Sequence, residues 1–403
     1  MIAILVFVGV VLGLVLRRMP SEERLRFAQA IVDGLVFIKD SITKPPSGGE
    51  AFYTALKART KWAFVTPAIV VAYVVVFSML LVGSGSIGDP RTLIEWGSSI
   101  GTRTTNDEWW RLGTAMFVHV GLLHLIAEVA GLVQVGLLVE RLVGRLAFAV
   151  VYVASGVLAG VWNLTLHPVS VQAGAAGAIF GIYGLLLATL VLGLAQRSSL
   201  TIPLKVLKGL WPGVAVFLVY NMLTEGAFSE AMQAGLVVGF TGGMLLAGRV
   251  ISEKPPARRV AAVLAATVAI VVALAAPLRG FADVSGEVAK VKEREKRTAQ
   301  TYDTAVDRFK AGRISAQELA RLADRIVGEL QYIQAQLVSL DNVPAEHWPM
   351  VEKACEYLKL RQDSWRLRAQ GLRAGQARTL QEADVAEHTA LVALASATAP
   401  IQQ

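Results

Sequence analysis

Seven apolar runs, at 62–83, 113–138, 146–166, 172–195, 203–223, 229–249 and 258–277, set the limits on what this chain can become. Crossing roughly 30 Å of hydrocarbon takes about 20 helical residues. A backbone inside hydrocarbon must satisfy its own hydrogen bonds, so each run implies a helix. The 403 residues are 54% hydrophobic and only 17% charged, which excludes an ordinary soluble domain. The expected fold is all-α, a polytopic membrane helix bundle. An eighth run, 2–16, is marginal in length; it starts at Met1 without a basic flank, ends at Arg17-Arg18 and has no small-residue cleavage site. Those features favour a reversed anchor over a cleaved signal peptide.

Orientation follows from Lys and Arg between the runs. Segments 17–61, 139–146, 196–209 and 249–259 hold eighteen, whereas 84–112, 167–171 and 224–228 hold only Arg91, Arg103 and Arg111. The basic segments are expected in the cytoplasm, which places residues 278–403 outside it. The net charge of +8 is spread over these segments and a mixed-charge tail. It therefore points to topology and anionic lipid headgroups, with no nucleic-acid partner. Cys355 is the single cysteine, so no intramolecular disulfide or Cys-based metal site is possible.

Three regions follow: an anchor with a basic linker (1–61), a membrane core (62–277) and a polar tail (278–403). Asp89-Pro90 with neighbouring Gly and Ser marks a long first loop. In the tail, Ser315 to Glu318 reads as a capping box before Leu319, Leu322, Ile326, Leu330, Ile333 and Leu337. Further helices are expected at 284–310, 345–371 and 376–397, broken at Gly312, Pro344 and Gly375. These suit a small bundle or coiled coil able to self-associate. Trp348 and Trp365 are expected in its core, and His347 and His388 in solvent.

The core carries an ordered set of motifs. Trp110-Arg111 lies in the first loop. His119 and His124 stand five apart and are followed by Glu128; Gly174-Ala-Ala-Gly-Ala-Ile-Phe-Gly181 opens one apolar run, and Glu230-Ala-Met-Gln-Ala-Gly-Leu-Val-Val-Gly239 another. In this order and spacing, residues 62–277 resemble the rhomboid family of intramembrane serine proteases. The resemblance implies six core helices, here with one more on each side. It puts the nucleophile at Ala176 and the general base at Met232, with His124 and Glu128 in the oxyanion region and Gly174, Gly177 and Phe180 shaping the pocket.

None of the three exchanged residues keeps the family's chemistry. A methyl group cannot attack a carbonyl, a thioether cannot take a proton from an alcohol, and an ionised carboxylate accepts hydrogen bonds without donating. Losing one member of a catalytic unit typically costs on the order of 10⁴ to 10⁶ in kcat. Gly177, Gly181, Gly235 and Gly239 keep a small-residue pattern suited to close helix packing. The expected function is a non-catalytic homologue in a bacterial inner membrane that binds transmembrane helices of client proteins and needs no cofactor. Two alternatives stand beside it. One keeps proteolysis with a displaced nucleophile, Ser170 or Ser155, served by His167, His119 or His124. The other treats His119, His124 and Glu128 as an intramembrane metal or proton site.

Overall fold

The computed structural model describes residues 50–83, 87–195, 202–224, 229–246, 255–278 and 280–397. The expected anchor at 2–16 lies outside these residues. Two compact units divide between residues 279 and 280, and the described residues are helical with one isolated bridge and no strand.

In the first unit, α1 (Glu50–Arg59) precedes α2 (Val65–Gly83). Three short helices, α3 (Pro90–Glu95), α4 (Gly101–Thr104) and α5 (Arg111–Thr114), fill the first loop. The Asp-Pro pair marks a helix start as well as a loop: Asp89 accepts the Arg91 N–H and Pro90 occupies the first turn. Long helices α6 (Leu122–Val143), α7 (Arg145–Leu166), α8 (Ala176–Ala195), α9 (Leu204–Thr224), α10 (Glu230–Leu246) and α11 (Ala257–Ala275) follow. Among the described residues, six helices are long and apolar enough to span a membrane: α2, α6, α7, α8, α9, and α11 with its 3-10 extension to Leu278; α10 is a shorter apolar helix. The protein is an integral membrane protein.

Two runs start later as helices than as apolar stretches. The 113–138 run begins with α5 and a 3-10 turn (Ala115–Phe117), and α6 starts only after an extended Gly121. The 172–195 run begins extended, because Gln172 exchanges backbone hydrogen bonds with Ser99 at 3.0 and 2.8 Å.

Polar groups fix the bundle where apolar packing alone would let helices slide. Buried Glu140 on α6 accepts from the Phe64, Val65 and Thr66 amides and the Thr66 hydroxyl at 2.7–2.9 Å. A carboxylate thus satisfies the orphan donors that open α2 and favours the positive end of its dipole. Pro212 interrupts the ladder of α9. One turn's edge is repaired from outside, since the Gly213 N–H donates to Gln134 Oε1 of α6 at 3.0 Å.

The second unit holds α12 (Val284–Lys310), α13 (Ala316–Val338), α14 (Trp348–Ala374) and α15 (Ala377–Ala397) around a core of its own. The Ser315–Glu318 capping box is formed. Gly312 and Gly375 turn the chain at φ +70° and +63°, a region open to glycine. Buried Arg361 donates to Glu295 and Glu387 at 2.8 Å, and Tyr357 donates to Glu295 at 2.6 Å. Two expectations need correction. Trp365 is enclosed, but Trp348, at the start of α14, is exposed. His347 is buried rather than solvated, because the 3-10 turn at 345–347 folds it under α14.

Candidate functional site

Gly174 organises the site. Its φ of +108° turns the chain from the extended 171–173 segment into α8, and its N–H donates to Ala115 O at 3.0 Å. A Cβ there would lie 2.6 Å from His124 Cε1 and 2.8 Å from Glu128 Oε1. The missing side chain lets the start of α8 reach these two residues.

His119, His124 and Glu128 come together as one buried cluster. Glu128 Oε1 accepts the Ala175 N–H at 2.7 Å and lies 3.1 Å from His124 Nε2, while Oε2 lies 2.7 Å from His119 Nε2. Aromatic rings close the cluster: Tyr220 stacks on His124 at 5.5 Å, and Tyr73 meets His119 edge-on at 4.7 Å. The Tyr73 and Tyr152 hydroxyls bond to each other. Both imidazole Nε2 atoms of this trio are directed at carboxylate oxygens of Glu128. Among the described residues no group of three or more His, Cys, Asp or Glu could hold an ion.

Ala176 opens α8, and Met232 lies on α10 in the same apolar cluster, both buried. A cavity of about 260 Å³ includes Gly174, Ala176 and Gly177 in its wall, with Ser99, Asn163, Ser170, Gln172 and Ser229 as polar lining. Phe180 does not shape this cavity; it is turned the other way, 5.5 Å from Phe217 and 5.6 Å from Tyr183.

The glycines also need reassignment. Gly235 and Gly239 of α10 pack on the backbone of Gly177 and Gly181 of α8, whose own Cβ positions would meet Ala159 and Ser155 of α7, so all four are consumed within the chain rather than open to a client helix. A Cβ on Gly235 would lie 2.9 Å from the Gly177 Cα, and one on Gly239 would lie 2.6 Å from the Gly181 Cα. The Trp110-Arg111 pair divides its work. The Arg111 guanidinium is buried and donates to Ile94 O at 2.5 Å and Ser98 O at 3.0 Å, while Trp110 is exposed.

Neither candidate for a displaced nucleophile meets a base. Ser170 Oγ donates to the His167 backbone carbonyl at 3.1 Å rather than to its ring, and the His167 ring faces Glu230 at 3.9 Å. Ser155 is fully buried against Gly181. Sequence reasoning missed Asn163, Gln172, Ser229, Tyr73 and Tyr220. Tyrosines within apolar runs were the available signal, since a buried hydroxyl needs a partner.

Residues 106–253 match the rhomboid domain. Rhomboid protease GluP of Bacillus subtilis (strain 168) is 30% identical over 174 residues, covering 43% of this chain and 32% of that protein. The putative rhomboid protease YdcA of the same organism is 36% identical over 83 residues, covering 20% of this chain and 42% of the relative. Inactive RHOMBOID-like protein 8 of Arabidopsis thaliana is 35% identical over 89 residues, covering 22% and 25%. The chain thus spans less than half the length of each of these relatives. With its helices in that order, the membrane unit carries a rhomboid domain over residues 106–253.

Proposed function

We propose that this protein is a non-catalytic rhomboid that binds transmembrane helices of client proteins and regulates their stability, assembly or traffic. The observation that carries this reading is the pairing of an intact helix bundle with Ala176 and Met232, which offer neither hydroxyl nor ring nitrogen. The likeness to a relative named as inactive supports the same direction. Its membrane is a bacterial inner membrane, and the tail unit lies outside the cytoplasm, where it is available for self-association or partner contact; the distribution of basic residues supports that orientation.

Because the inward glycines are already used, a client helix would dock on the lipid-facing side of α9. That helix is less enclosed than α6, α7 or α8 and exposes Trp211, Val216, Val219 and Leu223. Binding there requires van der Waals fit rather than a hydrophobic drive, since lipid tails are as apolar as leucine.

The test is capture of membrane proteins by the tagged full chain in mild detergent, with Val216→Trp/Val219→Trp on α9 and Val153→Trp on α7 as a control. The α9 variant should lose co-purifying clients several-fold while the control keeps them. Equal capture by all three proteins would remove the proposed surface. Labelling of the purified protein by a fluorophosphonate would overturn the non-catalytic reading.

A further inference from the structure

The groups around Glu128 come from three places: His119 from the extended lead into α6, His124 from its first turn, and the Ala175 amide from the lead into α8. Proton accounting fixes most of their roles. His119 Nδ1 lies 3.1 Å from the Phe117 carbonyl, which can only accept, so Nδ1 carries a hydrogen. The contact between His119 Nε2 and Glu128 Oε2 at 2.7 Å therefore holds a second proton, shared between ring and carboxyl. Oε1 already accepts the Ala175 N–H, so any carboxyl proton sits at Oε2. His124 Nε2, 3.1 Å from Oε1, is then a donor.

Two donors thus converge on one oxygen and one proton is shared with the other, in a place closed to water. Such a set stabilises negative charge on oxygen whether the oxygen belongs to a carboxylate or to a polarised carbonyl. Nothing in the donor geometry demands that the oxygen be covalently attached. Gly174 stands between this set and the cavity: it lines the cavity wall, and its α-carbon backs onto His124 and Glu128.

We infer that His119, His124 and the Ala175 amide form a carboxylate-binding site whose resident ligand is the chain's own Glu128. Held there, Glu128 denies these donors to the carbonyl or carboxylate oxygen of any polypeptide entering the cavity. A peptide in the cavity is left with the side chains of Ser99, Asn163, Ser170, Gln172 and Ser229 as its polar lining. The inference does not depend on client binding, because an internal ligand would occupy these donors whatever the cavity receives.

The test uses the full chain in detergent, comparing wild type, Glu128→Ala and Glu128→Gln. Thermal unfolding is followed against sodium formate up to about 100 mM, with chloride at equal ionic strength as control. Glu128→Ala should melt several degrees below wild type and regain most of that loss saturably with formate and not with chloride. Wild type and Glu128→Gln should not respond, since a side chain still fills the site. A folded Glu128→Ala indifferent to formate, or a wild type responding equally, would overturn the inference. If Glu128→Ala folds only when formate is present during extraction, that dependence supports the site. If it folds under neither condition, Glu128→Ser is read in the same way, and its indifference to formate overturns the inference.

Discussion

Glu128 and Glu140 lie about three turns apart on α6, and each carboxylate is wholly buried and fully engaged. Glu140 receives four hydrogen bonds from the start of α2 and donates none. Glu140→Gln keeps the shape but turns an N–H₂ toward two or more of those donors. Hydrogen bonds to a charged group contribute about 1.5–3 kcal/mol, so the variant should lose roughly 2 kcal/mol or more and melt several degrees lower in a thermal scan. Thr66→Val, which removes only the hydroxyl bond, should cost less than half of that. The sequence showed Glu128 as a departure from a family pattern and showed what it could no longer donate. It did not show what Glu128 accepts, because the Ala175 amide lies 47 residues away in the chain. Gly174 was legible as a motif residue, whereas its left-handed turn depends on the Gly174–Ala115 hydrogen bond that no spacing rule contains.

Helices α8 and α10 meet backbone to backbone. Even one methyl group at Gly239 would collide with the Gly181 backbone, whereas a methyl at Gly193 on α8 has no atom within 4 Å. Gly239→Ala should therefore destabilise the bundle by about 1–3 kcal/mol or more. Gly193→Ala should be neutral or stabilising by up to about 1 kcal/mol, through helix propensity. Unfolding temperatures of the two variants in the same detergent check the contrast; equal losses would show that helix propensity, and not the crossing, sets the cost. Small residues three and four apart announced close packing in the sequence, but not with which helix. Pairing is a tertiary choice, and the same glycines would have suited an incoming client. The late start of α6 was hidden for a different reason: residues 113–121 are apolar enough to read as span, and only the 3-10 turn at 115–117 and the extended Gly121 reveal that the chain is still turning there.

At the scale of the whole molecule, two units carry separate cores, one apolar and membrane-spanning, the other helical with a buried Arg361–Glu295–Glu387 network. The tail helices were readable nearly end to end, because capping boxes, glycine stops and heptad-like spacing are local signals. Burial of His347 was not, since it follows from the tertiary setting of the turn at 345–347 and not from local spacing. Burial holds the His347 ring below its ordinary pKa, with Glu346 and Asp283 opposing the shift more weakly. Its neutral form is therefore the folded form. That contribution to stability is complete above the unfolded value of about 6.5 and is lost as pH falls toward the lowered folded value. Amide exchange along 345–374, corrected for intrinsic chemistry, should accelerate between about pH 7 and pH 5, and His347→Gln should flatten that dependence. An unchanged slope in the variant would assign the effect to other groups.

The α8–α10 crossing has a mechanical consequence for the same bundle. A contact made of glycine backbones contains almost no side-chain rotamers, so it has no alternative packing to hop into and cannot yield by small steps. It is stiff until it separates. Compliance within the membrane unit has to reside in helices whose contacts are side-chain mediated, and α9 combines low enclosure with Pro212, a break in its own ladder. Any breathing that admits a guest from the bilayer should hinge at Pro212 while α8 and α10 move as one body.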